Sequence, residues 1–166
     1  MNSESVIDRL LEVRSVSGLK EYLQAMVDMR REGDITRPED WKYSCIEDFV
    51  LQNGREYTPQ PLPEGYEMGK PHECFQNAFQ LAQASDLTYV EGFVHVVIPI
   101  QHAWCVDGRG MVVDNTLKEP ADEYFGVPFN FRYVTRTVVG KETYGVIDNW
   151  EEGFPLLQGK DKDFLA

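Results

Sequence analysis

The chain has 166 residues, 42% hydrophobic and 12% aromatic, which is enough for one complete core and short for two. Its net charge of −12 argues against sequence-independent binding to nucleic-acid backbones or anionic membranes. No apolar run approaches the ~18–20 residues a membrane span needs, and the longest, Val94 to Ile100, is interrupted by His95 and Pro99. Residues 1–13 show neither the positive region nor the apolar run of a signal peptide, so a cytoplasmic location is expected. Three cysteines without a repeating spacing do not read as a disulfide framework. Chemistry is the better use for such thiols.

In chain order, Val6, Ile7, Leu10, Leu11 and Val13 take helical spacing over 5–14, behind a Ser5 cap. A second amphipathic helix carries Leu19, Tyr22, Leu23, Met26 and Met29 and stops at Arg30, Arg31 and Gly33. The capping-box spacing of Thr36 and Glu39 predicts a third, with Trp41, Cys45, Ile46, Phe49 and Val50 on one side until Asn53-Gly54. Cys45 on that stripe reads as a core thiol. Residues 55–71, with Pro59, Pro61, Pro63, Gly65, Gly69 and Pro71, read as an extended connection, either a cleft wall or a plain surface linker.

A narrow helical stripe of Phe75, Ala78, Phe79 and Ala82 then starts at Cys74. Strands are predicted at Thr88–Ile98, His102–Val106 and Met111–Asp114, with one or two more over Phe129–Val139 and a short one at Tyr144–Ile147. The charged tail after Trp150 is expected to fray. Helices first and mainly antiparallel strands afterwards make an α+β domain over 1–166. Its parts are a helical layer (1–54), the connection (55–71), a core (72–150) and a tail (151–166).

Residues 72–117 hold all three histidines and two of the three cysteines. Cys74 falls at the start of its helix, where unpaired N–H groups and the helix dipole favour a thiolate, opposed slightly by Glu73. The same N–H groups can stabilise an oxyanion. His102 is the preferred base: alternation puts it on one face with Trp104, which can shield it from water, and turns Ala103 and Cys105 away. His95, between Val94 and Val96, is a weaker candidate. His72 is too close to the cysteine in sequence to reach its sulfur. The third member depends on hairpin register. A three-residue turn at 107–109 places Asp114 opposite His102, and an even turn at 107–110 places Asn115 there. Either side chain can orient an imidazole.

Cys74, His102-Ala103-Trp104 and Asp114-Asn115-Thr116, in that order, resemble the core of the transglutaminase-like, papain-type superfamily. There a helix-borne cysteine precedes a His-Ala-Trp strand and an Asp-Pro-Thr strand end. The resemblance implies a nucleophile at Cys74, a base at His102 and an orienting carboxylate at Asp114. It also implies attack on an amide or ester carbonyl of a peptide or small substrate, through an acyl-enzyme resolved by water or an amine, without cofactor. The likeness spans about 45 residues. Asn115 replaces the usual Pro, His72 stands where Gly often precedes the cysteine by two, and Met68 occupies the place of a papain-like oxyanion Gln. Gln60, Gln76 or Tyr66 are the substitutes in reach, beside the Cys74 backbone N–H.

A zinc site from His72, Cys74, His102 or Cys105 lacks any established ligand spacing, and the zinc-deaminase signature is missing. Val106–Gly110 follows one strand and leads into another, so it reads as a hairpin and not a phosphate loop. The competing function class is a non-catalytic binding module on the same fold, with an inert thiol.

Overall fold

The computed structural model describes residues 18–33, 38–141 and 143–166. The helix expected at 5–14 lies outside them. In chain order come α1 (Leu19–Glu32), α2 (Ile46–Asn53), β1 (Arg55–Tyr57), α3 (Cys74–Gln83) and β2 (Thr88–His95). They are followed by β3 (Pro99–Val106), β4 (Val112–Val113), β5 (Glu123–Phe129), α4 (Phe131–Val138) and a 3-10 turn at Trp150–Glu152. The strands form one antiparallel sheet in the order β1-β5-β2-β3-β4, an α+β arrangement.

Alternation divides the sheet into two faces. Tyr89, Phe93, Ala103, Cys105, Phe125, Val127 and Phe129 form one interior with Ala78, Phe79 and Ala82 of α3 and with α1 and α2. Val90, Val94, Trp104, Val106, Val112 and Tyr124 form a smaller cluster from the alternate positions. The small side chains on α3 let it lie close to the sheet, near enough for the Cys105 thiol to donate to the Ala78 carbonyl at 3.3 Å. Gly126 is required by the bulk of Trp104, since a β-carbon there would stand 2.6 Å from the indole ring.

Several expected elements differ, each for a physical reason. The third helix begins at Ile46 and not near Thr36, because Asp48 sets its start: its carboxylate accepts from the Ser44 backbone N–H at 2.8 Å and from Ser44 Oγ at 2.9 Å. The strand expected over Phe129–Val139 is a strand that stops at Phe129 followed by α4, capped by Asn130, whose side chain accepts from the Arg132 N–H. Tyr144–Ile147 forms no strand; its backbone is held by a side chain, Glu91, and not by a ladder. β1 falls inside the stretch read as an extended connection.

The tail does not fray. Leu156, Leu157 and Phe164 are buried, and Phe164 packs against Phe49, Phe129 and Tyr133. Backbone bonds from Asn130 N–H to the Phe164 carbonyl (2.7 Å) and from Ala166 N–H to the Pro128 carbonyl (3.1 Å) pin it to β5. Three apolar residues outweigh the charged run between them. Leu157→Ala is therefore expected to cost about 2–5 kcal/mol in urea unfolding, and Lys162→Ala less than about 0.5 kcal/mol. Equal small losses would show a tail that contributes nothing to the core.

Candidate active site

Cys74 is the first residue of α3 and is half-buried. The N–H groups of the first turn have no partner within the helix. His102, on β3, is only 2% exposed, and its Nε2 lies 2.8 Å from Asp114 Oδ2. The Cys74 side chain lies near enough to help raise the pKa of the ring. With Nε2 committed to Asp114, Nδ1 is the nitrogen left for the sulfur. The three residues singled out in sequence thus meet in one place.

The turn that joins β3 to β4 is longer than either length considered from sequence. Val106 pairs with Val112 and Cys105 with Val113, so residues 107–111 form a five-residue turn. Continued, that register puts Trp104 opposite Asp114 and Thr116 opposite His102. Asp114 reaches His102 as a diagonal neighbour on the same face. Only the parity of the turn decides the face, and it is odd. Asn115 falls on the other parity, and its carbonyl accepts from Gly69 N–H at 2.6 Å.

Asp114 is bound on all sides. Tyr124 Oη donates to Oδ2 at 3.0 Å, and the Thr116 and Leu117 N–H groups donate to Oδ1 at 2.9 and 3.3 Å. Burial raises its pKa, but the His102 contact and these donors prevail and hold the carboxyl below its ordinary value. For His102, burial acts downward. The hydrogen bonds and charges of Asp114 and Cys74 outweigh it and lift the ring to about 9. Trp104 lies nearly parallel to the imidazole, with ring centres 6.2 Å apart and planes 16° apart.

The other two thiols have different surroundings. Cys45 and Cys105 are buried, and burial raises both pKa values, most strongly at Cys105. His95 faces Glu123, with Nδ1 3.5 Å from Oε1, far along β2 from this cluster. His72 is exposed and adopts φ +65°, the left-handed region that glycine prefers. Gln60 spends its amide donor on the Val112 carbonyl at 2.8 Å, and Tyr66 packs against the main core. Of the oxyanion substitutes, Gln76 and the Cys74 N–H remain beside the site.

Three positioning side chains escaped the sequence reading. Asn77, buried one turn into α3, donates to the Lys70 carbonyl and to Thr116 Oγ1, both at 2.8 Å, and accepts from Lys70 N–H at 3.0 Å. It clamps the loop before Cys74 to the loop after Asp114. Tyr124 comes from β5, which was not predicted as a strand. Glu91, wholly buried on β2, accepts from Tyr89 Oη (2.6 Å), Val146 N–H (2.7 Å) and Ile147 N–H (3.0 Å). A glutamate among Tyr89, Val90 and Phe93 was the available signal, because alternation points it inward.

Among the described residues, no group of three or more His, Cys, Asp and Glu side chains is arranged to hold a metal, and no helix is long and apolar enough to cross a membrane. Compared with protein-family models, curated proteins and solved structures, the chain matches none.

Because the folded pKa of His102 lies above its ordinary 6.5, its protonation stabilises the fold fully below about pH 6.5 and is lost as pH rises through about 9. Asp114→Asn removes the principal charge behind that shift. The His102 pKa followed by NMR should fall by roughly 1–3 units, and the loss of stability between neutral pH and 9 should flatten. An unmoved titration would show that Asp114 does not hold the ring.

Proposed function

We propose that the protein is a thiol-dependent hydrolase or acyltransferase of the transglutaminase-like, papain-type kind, acting on an amide or ester carbonyl. The observation that carries this reading is the convergence of the Cys74 side chain, the His102 ring and the Asp114 carboxylate. A nucleophile at a helix start, a base near it and a carboxylate orienting that base are the elements of covalent acyl transfer. Support also comes from the contrast among the thiols: two are sealed in the core, and the half-buried one meets the histidine.

In this mechanism the Cys74 thiolate attacks the carbonyl carbon, and negative charge moves to the carbonyl oxygen. The Cys74 N–H and the Gln76 amide are the candidate donors for that charge. The imidazolium of His102 gives its Nδ1 proton to the departing amine or alcohol as the C–N or C–O bond breaks. Water, deprotonated by the now neutral His102, then attacks the thioester and releases the acid. An amine in the place of water would give transfer. Asp114 keeps Nε2 protonated and the ring in register throughout.

At pH 6–7 iodoacetamide should alkylate Cys74 at least tenfold faster than Cys45 or Cys105, and His102→Ala should erase most of that advantage. With a reactive thioester-forming ester, mass spectrometry should find the acyl group on Cys74. His102→Ala should lower kcat by about 10²–10⁴, and the wild-type rate should decline as pH passes about 9, where the imidazolium donor is lost. Equal, slow labelling of all three thiols would overturn the enzyme reading in favour of a non-catalytic binding module.

A further inference from the structure

An open cleft of about 340 Å³ is lined by chain neighbours of Cys74 and His102, though not by those two residues themselves. Glu73 and Phe75, which flank Cys74 in the chain, line one side together with Gln76, and Gln101, next to His102, lines another. The far wall comes from residues 143–150, which contribute Tyr144, Asp148 and Trp150. That wall is held in place before any ligand arrives. Glu91 grips the N–H groups of Val146 and Ile147 from inside, the Tyr144 ring packs on Phe79 at 5.4 Å, and Lys141 Nζ holds Asn149 at 2.9 Å and Glu152 at 3.0 Å.

The lining combines two carboxylates with three aromatic rings and two side-chain amides. No lysine, arginine or histidine is among the lining residues. Trp150 stands 63% exposed at the rim, a large apolar surface left in water. Glu73 Oε2 is shielded from solvent and makes no hydrogen bond. It is ion-paired only with Lys70 Nζ, an exposed side chain 3.5 Å away that solvent screens. Asp148 is exposed and lines the same cleft. A cation with a flat face satisfies every one of these groups: the carboxylates by charge and hydrogen bonds, the rings by cation–π contact.

We propose that this cleft receives the guanidinium of an arginine residue in the substrate, next to the carbonyl that Cys74 attacks, so that the enzyme acts on arginine-bearing peptides. The inference rests on the acyl-transfer reading for the carbonyl, and on the cleft alone for the cation. Guanidinium fits better than ammonium because its plane can lie on Trp150 or Tyr144 while its fork meets a carboxylate. Volume agrees with a small-ligand subsite, being within the range of about 300–1,000 Å³ usual for such pockets. The chain's net charge of −12 also draws cations toward it.

The test separates the two readings. Binding is measured by titration calorimetry on the Cys74→Ala protein, which cannot turn over, with Nα-acetyl-arginine amide and its neutral isostere Nα-acetyl-citrulline amide. The arginine amide should bind at least tenfold more tightly, and the doubly substituted Glu73→Gln, Asp148→Asn protein should lose that preference while melting at the same temperature. Equal affinity for the two amides, or binding of neither, overturns the inference. In parallel, wild-type protein is given arginyl and citrullinyl aminocoumarin amides. Arginine-selective binding without hydrolysis of either amide keeps the cation subsite and removes the proposed hydrolase. Hydrolysis of both at equal kcat/KM keeps the hydrolase and removes the subsite.

Discussion

One buried carboxylate, that of Asp114, connects most of the parts that matter. It receives His102 Nε2 from β3, Tyr124 Oη from β5 and two backbone N–H groups from its own turn. A carboxylate taken out of water costs several kcal/mol unless donors replace the lost hydration, and four donors do so here. The network continues outward. Thr116, whose N–H binds Asp114, presents Oγ1 to Asn77 on α3, and Asn77 holds both polar groups of Lys70. The sheet that carries the histidine is thereby fixed to the helix start that carries the cysteine through hydrogen bonds, with apolar packing and the Cys105–Ala78 contact on the rest of α3.

Glu91 is a second buried carboxylate, and comparing the two shows what a cation does. Glu91 also has three donors, yet burial drives its pKa up to about 7, with Asp148 adding to the rise. Asp114 has the His102 ring beside it and stays below the ordinary range. Neutral donors solvate a buried charge only in part, whereas a charged partner reverses the balance. The two sites divide the work accordingly. Asp114, held below its ordinary pKa, can pair with an imidazolium, while Glu91 is a structural acceptor that fastens residues 146–147 to the sheet.

The α+β class, the start of α3 at the cysteine and the facing of His102 with Trp104 were legible because each rests on local periodicity or on helix-start chemistry. The partner of His102 was legible only to parity. A turn two residues longer than supposed leaves Asp114 on the same face, because side chains repeat every second residue. What could not be read depended on distant contacts. β5 hides its pattern behind Pro128 and Gly126, the latter kept small by the Trp104 ring. α4 follows β5 after a single residue, and its β-branched composition reads as strand until Asn130 caps it. The tail reads as solvated because its apolar residues are few, yet those few fill the gap between α2 and β5.

The proposed thiolate chemistry needs a local answer to the global field of a chain of charge −12, since every surrounding anion disfavours a further one. The answer lies in how the charges are layered. His102, lifted to about 9, stands as a cation between the Cys74 side chain and the Asp114 carboxylate. The ring's positive charge offsets the Asp114 carboxylate, leaving that pair with little net field of its own. Glu73 and Asp148 both line the adjoining cleft. A neutral substrate entering that cleft would have to desolvate those carboxylates without return, whereas a guanidinium compensates them as it enters. On the proposed reading, the same acidity that opposes a thiolate at a distance favours, at close range, a cationic group in the cleft.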